Sequence, residues 1–479
     1  MNNVSTAVEG RRHSRLGTLV VFVVVAATCF SLCVATSAYL YRTDRAAQAW
    51  GAVTWAPSYA GIVRSDGMGY LAWSYAIATG DLCFSPYIQE TVAYQPQAAS
   101  GFHLATGDGC FVPQYTLGQG AVWSLPIAAF RWLYGQRDST LPQQWVSKSS
   151  GLGIITGSAA VASIGLAALV IAFRRRTGLR IALLAPVAAF VGMYGFHYAT
   201  FDAQFSHATS FGLFGVLVAL APALRRALLH NQRRTAVALA FAIGVDSALI
   251  GLVRLPNLAV VAVFMATLLW RPTIDALRAR RGLSPTPATV AAALGTLAVV
   301  ALAVLAVQPI AWFRATGTWF PQTYVGQGFS IGTSTPKILL NILLDPTWHG
   351  AIPWSPIIIV AAVGFIWGYR VFGVQALGAM LAIGTMLLTA ATWTFPTGAG
   401  GLGLRFLIDV SPFIAIGVAS FLVQARRGGP GSARVATLLV IICVAWSASA
   451  MLGYWDARFS ITGAPAGELL EVVTTPRLP

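Results

Sequence analysis

About eleven apolar runs, with arginine-rich connections between alternate pairs, decide what this chain can become. Runs of roughly 18 to 25 apolar residues match the hydrocarbon thickness of a bilayer when they wind into helices. No soluble domain could hide so much apolar sequence, because its surface must be covered with polar groups. Of the 479 residues 56% are hydrophobic and only 10% are charged, and mean hydropathy is +0.69. The expected fold class is therefore all-α: a polytopic integral membrane protein of about eleven transmembrane helices.

The formal charge of +16 would suit a nucleic-acid binder, but the arginines gather at the ends of the apolar runs rather than in one patch. They read as topology determinants, and no nucleic-acid partner is expected. The first run, Leu16–Tyr41, follows Arg11, Arg12, His13 and Arg15. A signal peptide has a shorter core, of about 7 to 15 residues, so this run is expected to be a retained helix with the N-terminus in the cytoplasm. Residues 117–134 look apolar but are short and carry Gly118, Gly120, Pro126 and Arg131. Treating them as a juxtamembrane helix keeps every strong arginine cluster, from Arg174–Arg175–Arg176 to Arg426–Arg427, on the cytoplasmic side. The result is one membrane unit, 1–479, of a bacterial inner (plasma) membrane. Its extracytoplasmic parts are a first loop at 42–149 with interfacial helices, a second at 313–352 and a C-terminal tail at 455–479. No internal repeat of the kind found in many transporters is visible.

This topology gathers the polar side chains outside. The first loop holds Asp66, Asp81, Glu90 and Asp108; the second holds Tyr324, Gln327, Asp345 and His349. Arg405 and Asp409 follow a glycine-rich loop, and His197, Asp202, Ser206 and His207 fill a short outer turn. An enzyme working there has no supply of ATP or nucleotide sugars, so a transferase needs a donor carried in the membrane, such as a polyprenyl-phosphate sugar. A carboxylate can draw the proton from an acceptor hydroxyl. An arginine fork can hold the departing phosphate. Five cysteines are present: Cys29, Cys33 and Cys443 lie in apolar runs, while Cys83 and Cys110 share the first loop, either as a disulfide or as two free thiols.

The run SDGMGYLAWSYAIATGDLCF, starting at Ser65, resembles the start of the first outer loop in the GT-C superfamily of polyprenyl-phosphate-sugar-dependent membrane glycosyltransferases, and more closely a bacterial, largely uncharacterised branch of it. Further matching runs follow in order: QYTLGQGAVWSLP, FSHATSF, VRLPN, YVGQGF, WHGAIPWSP and GGLGLRF. The resemblance implies a GT-C-type fold, a polyprenyl-phosphate-linked sugar donor, an extracytoplasmic glycan, lipid or protein acceptor, and Asp66 as the general base. Many members carry a closely spaced acidic pair here; this chain has Arg64 two residues before Asp66, so neither metal nor cofactor is expected.

Beside Asp66, the residues expected at the donor phosphate or sugar are Arg405, His207, Arg64 and His349, and those on the acceptor side are Asp81, Tyr70, Tyr324 and Gln327. Each has a plainer reading: Asp66 beside Gly67 as a turn residue, Asp81 as a turn or cap, His349 as part of an aromatic belt, Arg405 as a headgroup contact. Arg254 lies deep enough to need a partner, and Asp246, eight residues earlier, is expected to pair with it structurally. The alternative function is a polytopic transporter or lipid flippase, which would place charges mid-helix rather than in loops. A non-catalytic GT-C scaffold is the third reading.

Overall fold

The computed structural model describes residues 2–42, 66–82, 102–104, 111–135, 147–278, 286–321, 328–397, 401–459 and 463–476. The first helix, α1 (Asn2–Arg42), contains the apolar run Leu16–Tyr41 and leaves Leu16, Leu19 and Val20 exposed. A shorter helix, α2 (Asp66–Thr79), precedes a two-stranded antiparallel ladder, β1 (Phe102–Leu104) with β2 (Phe111–Pro113), and then α3 (Gly118–Leu133). The long α4 (Lys148–Thr177) turns at Gly178, where φ is +80°, into α5 (Leu179–Gly192). Next come the one-turn α6 (Gly195–Thr200), α7 (His207–Leu229), α8 (Arg233–Val253) and α9 (Asn257–Arg278).

The run Pro287–Thr316 divides into α10 (Pro287–Leu305) and α11 (Val307–Thr316). Pro309 has no N–H for the carbonyl of Leu305, which is where the first half stops. After α12 (Thr335–Leu344) and the short α13 (Ala351–Trp354) come α14 (Ile357–Phe372) and α15 (Val374–Thr392). The C-terminal third holds α16 (Arg405–Asp409), α17 (Ser411–Arg427), α18 (Pro430–Trp455) and α19 (Ala466–Thr474).

Among the described residues, eight helices are long and apolar enough to cross a membrane. The chain is thus an all-helical, multi-pass membrane protein, apart from the small β1–β2 ladder. Of the other expected spans, α5 and α14 are shorter apolar helices, and the run at 406–423 is split between α16 and α17 at Val410. At 16 residues α3 is shorter than a span; it exposes Leu125 and Leu133 while Arg131 is turned inward and buried.

Close helix crossings use glycine. A Cβ on Gly212 of α7 would lie 2.2 Å from the carbonyl oxygen of Val161 on α4, and one on Gly165 would meet the Gly212 backbone at 2.3 Å. Where lipid is as apolar as the side chains, such backbone contact is what holds helices together. The pair α14 and α17 meets in the same way at Gly364 and Gly417.

Candidate functional site

Asp66 is the first residue of α2, where the unpaired N–H groups of the first turn favour a negative side chain. Backbone contact fixes this helix. A Cβ on Gly67 would clash with Gln204, and one on Gly120 would lie 2.6 Å from the Tyr70 carbonyl oxygen and from Trp73 Cβ. Two hydrogen bonds then clamp α2 to the start of α3 and the residues before it: Trp73 Nε1–H donates to the Tyr115 carbonyl at 2.8 Å, and Ser74 Oγ–H donates to the Gly120 carbonyl, in the first turn of α3, at 2.8 Å. So positioned, the Tyr115 hydroxyl donates to Asp66 Oδ1 at 2.7 Å, and itself accepts from Gln114 Nε2 at 2.6 Å. The Tyr70 ring lies 4.8 Å from that of Tyr115.

From Tyr70 the polar contacts run inward. Its hydroxyl donates to Ser206 Oγ at 3.2 Å, next to His207, which opens α7. Burial first, and then the charge of Asp66, hold the Tyr70 phenol above its ordinary pKa, so it stays a donor. His207 Nδ1 lies 2.7 Å from Asp409 Oδ1. An ionised carboxylate only accepts, so Nδ1 carries the proton and Nε2 is the atom left for another partner. Asp409 Oδ2 accepts from Arg254 Nη1 at 3.2 Å and from Asn257 Nδ2 at 3.1 Å. Arg254 Nη1 is also 3.0 Å from His207 Nδ1; with a proton on each atom, the hydrogen bond belongs to the carboxylate.

This corrects the expected pairing of Arg254 with Asp246. Two residues eight apart on one helix are separated by about 12 Å along its axis, too far for an ion pair. The helix α8 also stops at Val253, and Arg254, with φ −153° and ψ 109°, leaves it. Its guanidinium turns to Asp409 and lies 5.1 Å from the centre of the Phe406 ring.

Arg405 opens α16, with its guanidinium 5.0 Å over the Phe205 ring; the Phe205 ring centre is 6.2 Å from that of His207. Its Nε is buried without a hydrogen-bond partner, and no described carboxylate pairs with it. Gly401 (φ +123°) brings the chain against the Tyr198 hydroxyl, which accepts from Leu402 N at 3.1 Å and so anchors the loop before Arg405. His349 is 1% exposed, has a left-handed φ of +54°, and has no partner for either ring nitrogen. Burial, with the Arg405 charge behind it, pulls its pKa down to about 4.

That shift has a sign for stability. The unfolded chain takes up a proton at His349 below about pH 6.5, which the fold resists, so stability is full above pH 6.5 and falls as pH drops toward 4. We expect Tm to fall between pH 7 and 4.5, and His349→Asn, which tolerates the left-handed backbone, to flatten that slope. An unchanged slope in a thermal-shift pH series of the variant would assign the loss to other groups.

Asp66, Tyr70, His207 and Arg405 are thus tied into one neighbourhood, and His349 feels Arg405. Asp81 is not part of it: it follows Gly80 (φ +75°) at the far end of α2, about 20 Å of helix from Asp66. Arg64, Cys83, Cys110, Tyr324 and Gln327 lie outside the described residues. Among the described residues no three His, Cys, Asp or Glu side chains gather as metal ligands. Sequence reading gave no role to Tyr115, Asn257 or Asp409. A signal for Asn257 existed: Pro256 breaks the helix between Arg254 and Asn257, leaving both side chains on one connection.

No family model and no curated protein matches the chain. Solved structures similar to it include the archaeal oligosaccharyltransferase AglB from Archaeoglobus fulgidus in complex with an inhibitory peptide and a dolichol-phosphate (TM-score 0.48, 12% identity, 94% of this chain and 57% of that one). The Archaeoglobus fulgidus oligosaccharyltransferase in the apo form is similar at TM-score 0.48 and 12% identity, over 93% of this chain and 56% of that one. This chain therefore spans less than two thirds of their length. At such identity and TM-score the likeness assigns neither an activity nor a substrate.

Proposed function

We propose that the chain is a GT-C-type membrane glycosyltransferase that moves a sugar from a polyprenyl-phosphate carrier to an acceptor outside the cytoplasm, with inversion and without a metal. The N-terminus is cytoplasmic and the C-terminus extracytoplasmic. Asp66 takes the proton of the acceptor hydroxyl as its oxygen forms a bond to the anomeric carbon. The bond from that carbon to the phosphate oxygen breaks, and the electron pair leaves on the phosphate. Arg405 receives this charge, with neutral His349 as a hydrogen-bond donor beside it and Arg64 as a second cation, while the unprotonated Nε2 of His207 accepts from a hydroxyl of the donor sugar. Tyr70, Tyr324 and Gln327 belong to the acceptor side; Asp81, beyond the far end of α2, meets only a remote part of an extended acceptor.

One observation carries the reading. A carboxylate held by Tyr115 shares a connected polar neighbourhood with an arginine that no described carboxylate neutralises. A half-buried cationic group left this way, its Nε enclosed, is suited to an anion that arrives and departs. The test is purified protein in liposomes with radiolabelled polyprenyl-phosphate sugars and a membrane-extract acceptor. Wild type is expected to move label, and Arg405→Gln to raise the donor KM by about 10- to 100-fold, the worth of a charged hydrogen bond. No label transfer from any polyprenyl-phosphate sugar by wild type, or an unchanged KM in Arg405→Gln, would remove the corresponding part of the proposal.

A further inference from the structure

The end of the bundle away from Asp66 gathers positive charge. Along their crossing Val161 of α4 faces Gly212 of α7, and Gly165 faces Gly215, so the two helices run in the same direction. Arg176 lies eleven residues past Gly165, and Arg226 eleven past Gly215. Eleven residues make three turns and about 16 Å, so the two arginines leave the contacting faces of their helices at one level. The charges of Arg226 and Arg225 accordingly act on the Arg176 guanidinium.

Two further elements close on this point. Arg176 Nη1 donates to Gln375 Oε1 at 3.0 Å and to the Phe372 carbonyl at 3.3 Å. Gln375 Nε2 in turn donates to the Val218 carbonyl at 3.0 Å, which pins the turn between α14 and α15 to both helices. In the last turn of α17, Arg426 lays Nη1 3.6 Å from the Cβ position of Gly178, two residues past Arg176. The ion pairs among the described residues involve none of these arginines. Topology asks only that arginines lie on the cytoplasmic side, and each helix C-terminus favours its own. Neither reason draws arginines from three helices to one point, where like charges repel; a shared anion offsets that repulsion.

We propose that Arg176, Arg226 and Arg426 bind the phosphate of an anionic phospholipid, whose acyl chain lies along α5. Planar guanidinium forks match phosphate oxygens, and basic pockets between spanning helices suit acidic headgroups. The surroundings favour a lipid over a soluble phosphate. Leu179 follows Gly178 directly and is exposed; Leu183 is half-buried and Val187 is again exposed. Residues four apart share a helix face, so an apolar track starts beside the Arg426 guanidinium and runs up α5. The site does not depend on the transferase reading, because Arg226 stands nineteen residues, about 28 Å, from His207 along α7.

The test is native mass spectrometry of the full chain released from detergent, with phosphatidylglycerol, phosphatidylcholine and inorganic phosphate as probes. Wild type is expected to hold phosphatidylglycerol at least about tenfold more tightly than phosphatidylcholine, and excess inorganic phosphate is expected not to displace it. Arg176→Gln and Arg226→Gln should each weaken phosphatidylglycerol about tenfold, the worth of a charged hydrogen bond. Arg226 is exposed, so Arg226→Gln reads the site even where Arg176→Gln, which gives up Gln375, fails to fold. Arg271→Gln, at an arginine already paired with Asp275, should leave binding within about twofold. Equal retention of the two phospholipids by wild type, unchanged retention in Arg226→Gln, or an equal loss in Arg271→Gln would overturn the site. Displacement by inorganic phosphate would overturn it too, by making the anion a soluble one. A wild type that holds phosphatidylglycerol but moves no label from any lipid-linked donor keeps this site and loses the transferase reading.

Discussion

Asp66→Asn is expected to lower the transfer rate by about 10² to 10⁴-fold, the usual worth of a positioned general base, while the donor KM stays within about threefold. The substitution keeps the shape of the side chain and one oxygen able to accept from Tyr115, so the clamp from Trp73 and Ser74 to Tyr115 and the first turn of α3 is undisturbed. What is lost is the ability to take a proton. The separation of kcat from KM is informative because donor contacts are assigned elsewhere, to Arg405, His349 and His207. Tyr115→Phe separates the two roles further: it removes the hydroxyl that orients the carboxylate while leaving the base, and should cost less, about tenfold. The measurement is initial rate against donor concentration for the three proteins in one lipid composition. An Asp66→Asn rate within threefold of wild type would take Asp66 out of the chemistry, whatever Arg405 does.

The broad architecture could be read from the runs of apolar residues because a bilayer leaves the backbone no choice: every N–H and C=O must be satisfied within the segment. The same simplicity explains what could not be read. Where runs are interrupted, periodicity gives no sign of how the chain continues, so the division of 406–423 at Val410 and the stop at Leu305 come from local backbone and proline effects. Asp66 and Arg405 were visible as charges where charges are few. Their surroundings were not, since Tyr115 reaches Asp66 across 49 positions and Asp409 reaches His207 across 202. Contacts of that separation depend on glycine crossings such as Gly165 with Gly212, and one sequence does not say which glycine meets which. The misplaced pairing of Arg254 differs in kind. Helix geometry alone excluded Asp246, and the proline at 256 marked the point where Arg254 was free to turn elsewhere.

The pairing that replaced it makes the second large effect. Asp409 is fully buried and accepts from His207, Arg254 and Asn257, so all three of its neighbours are donors. Asp409→Asn puts an amide N–H₂ against at least one of them and takes from the Arg254 guanidinium, only 21% exposed, the carboxylate 3.2 Å away. Breaking a buried ion pair from one side costs about 3 to 5 kcal/mol, and the partial exposure of Arg254 puts this case near the lower figure. We expect Tm in detergent to fall by about 3 to 5 °C. Removing the pair from both sides should be milder, because no charge is then stranded. Arg254→Met with Asp409→Leu is therefore expected to recover at least half of the loss, which a double-mutant cycle of Tm and denaturation midpoint would show as a coupling of the two positions. Additive losses in that cycle would mean that Arg254 and Asp409 act independently. The cycle also bears on the site, because Asp409 fixes the proton on His207 Nδ1 and so leaves Nε2 as an acceptor. A double variant that regains stability but binds the lipid-linked donor poorly would show that the buried pair serves to orient His207 as much as to hold α7, α9 and α16 together.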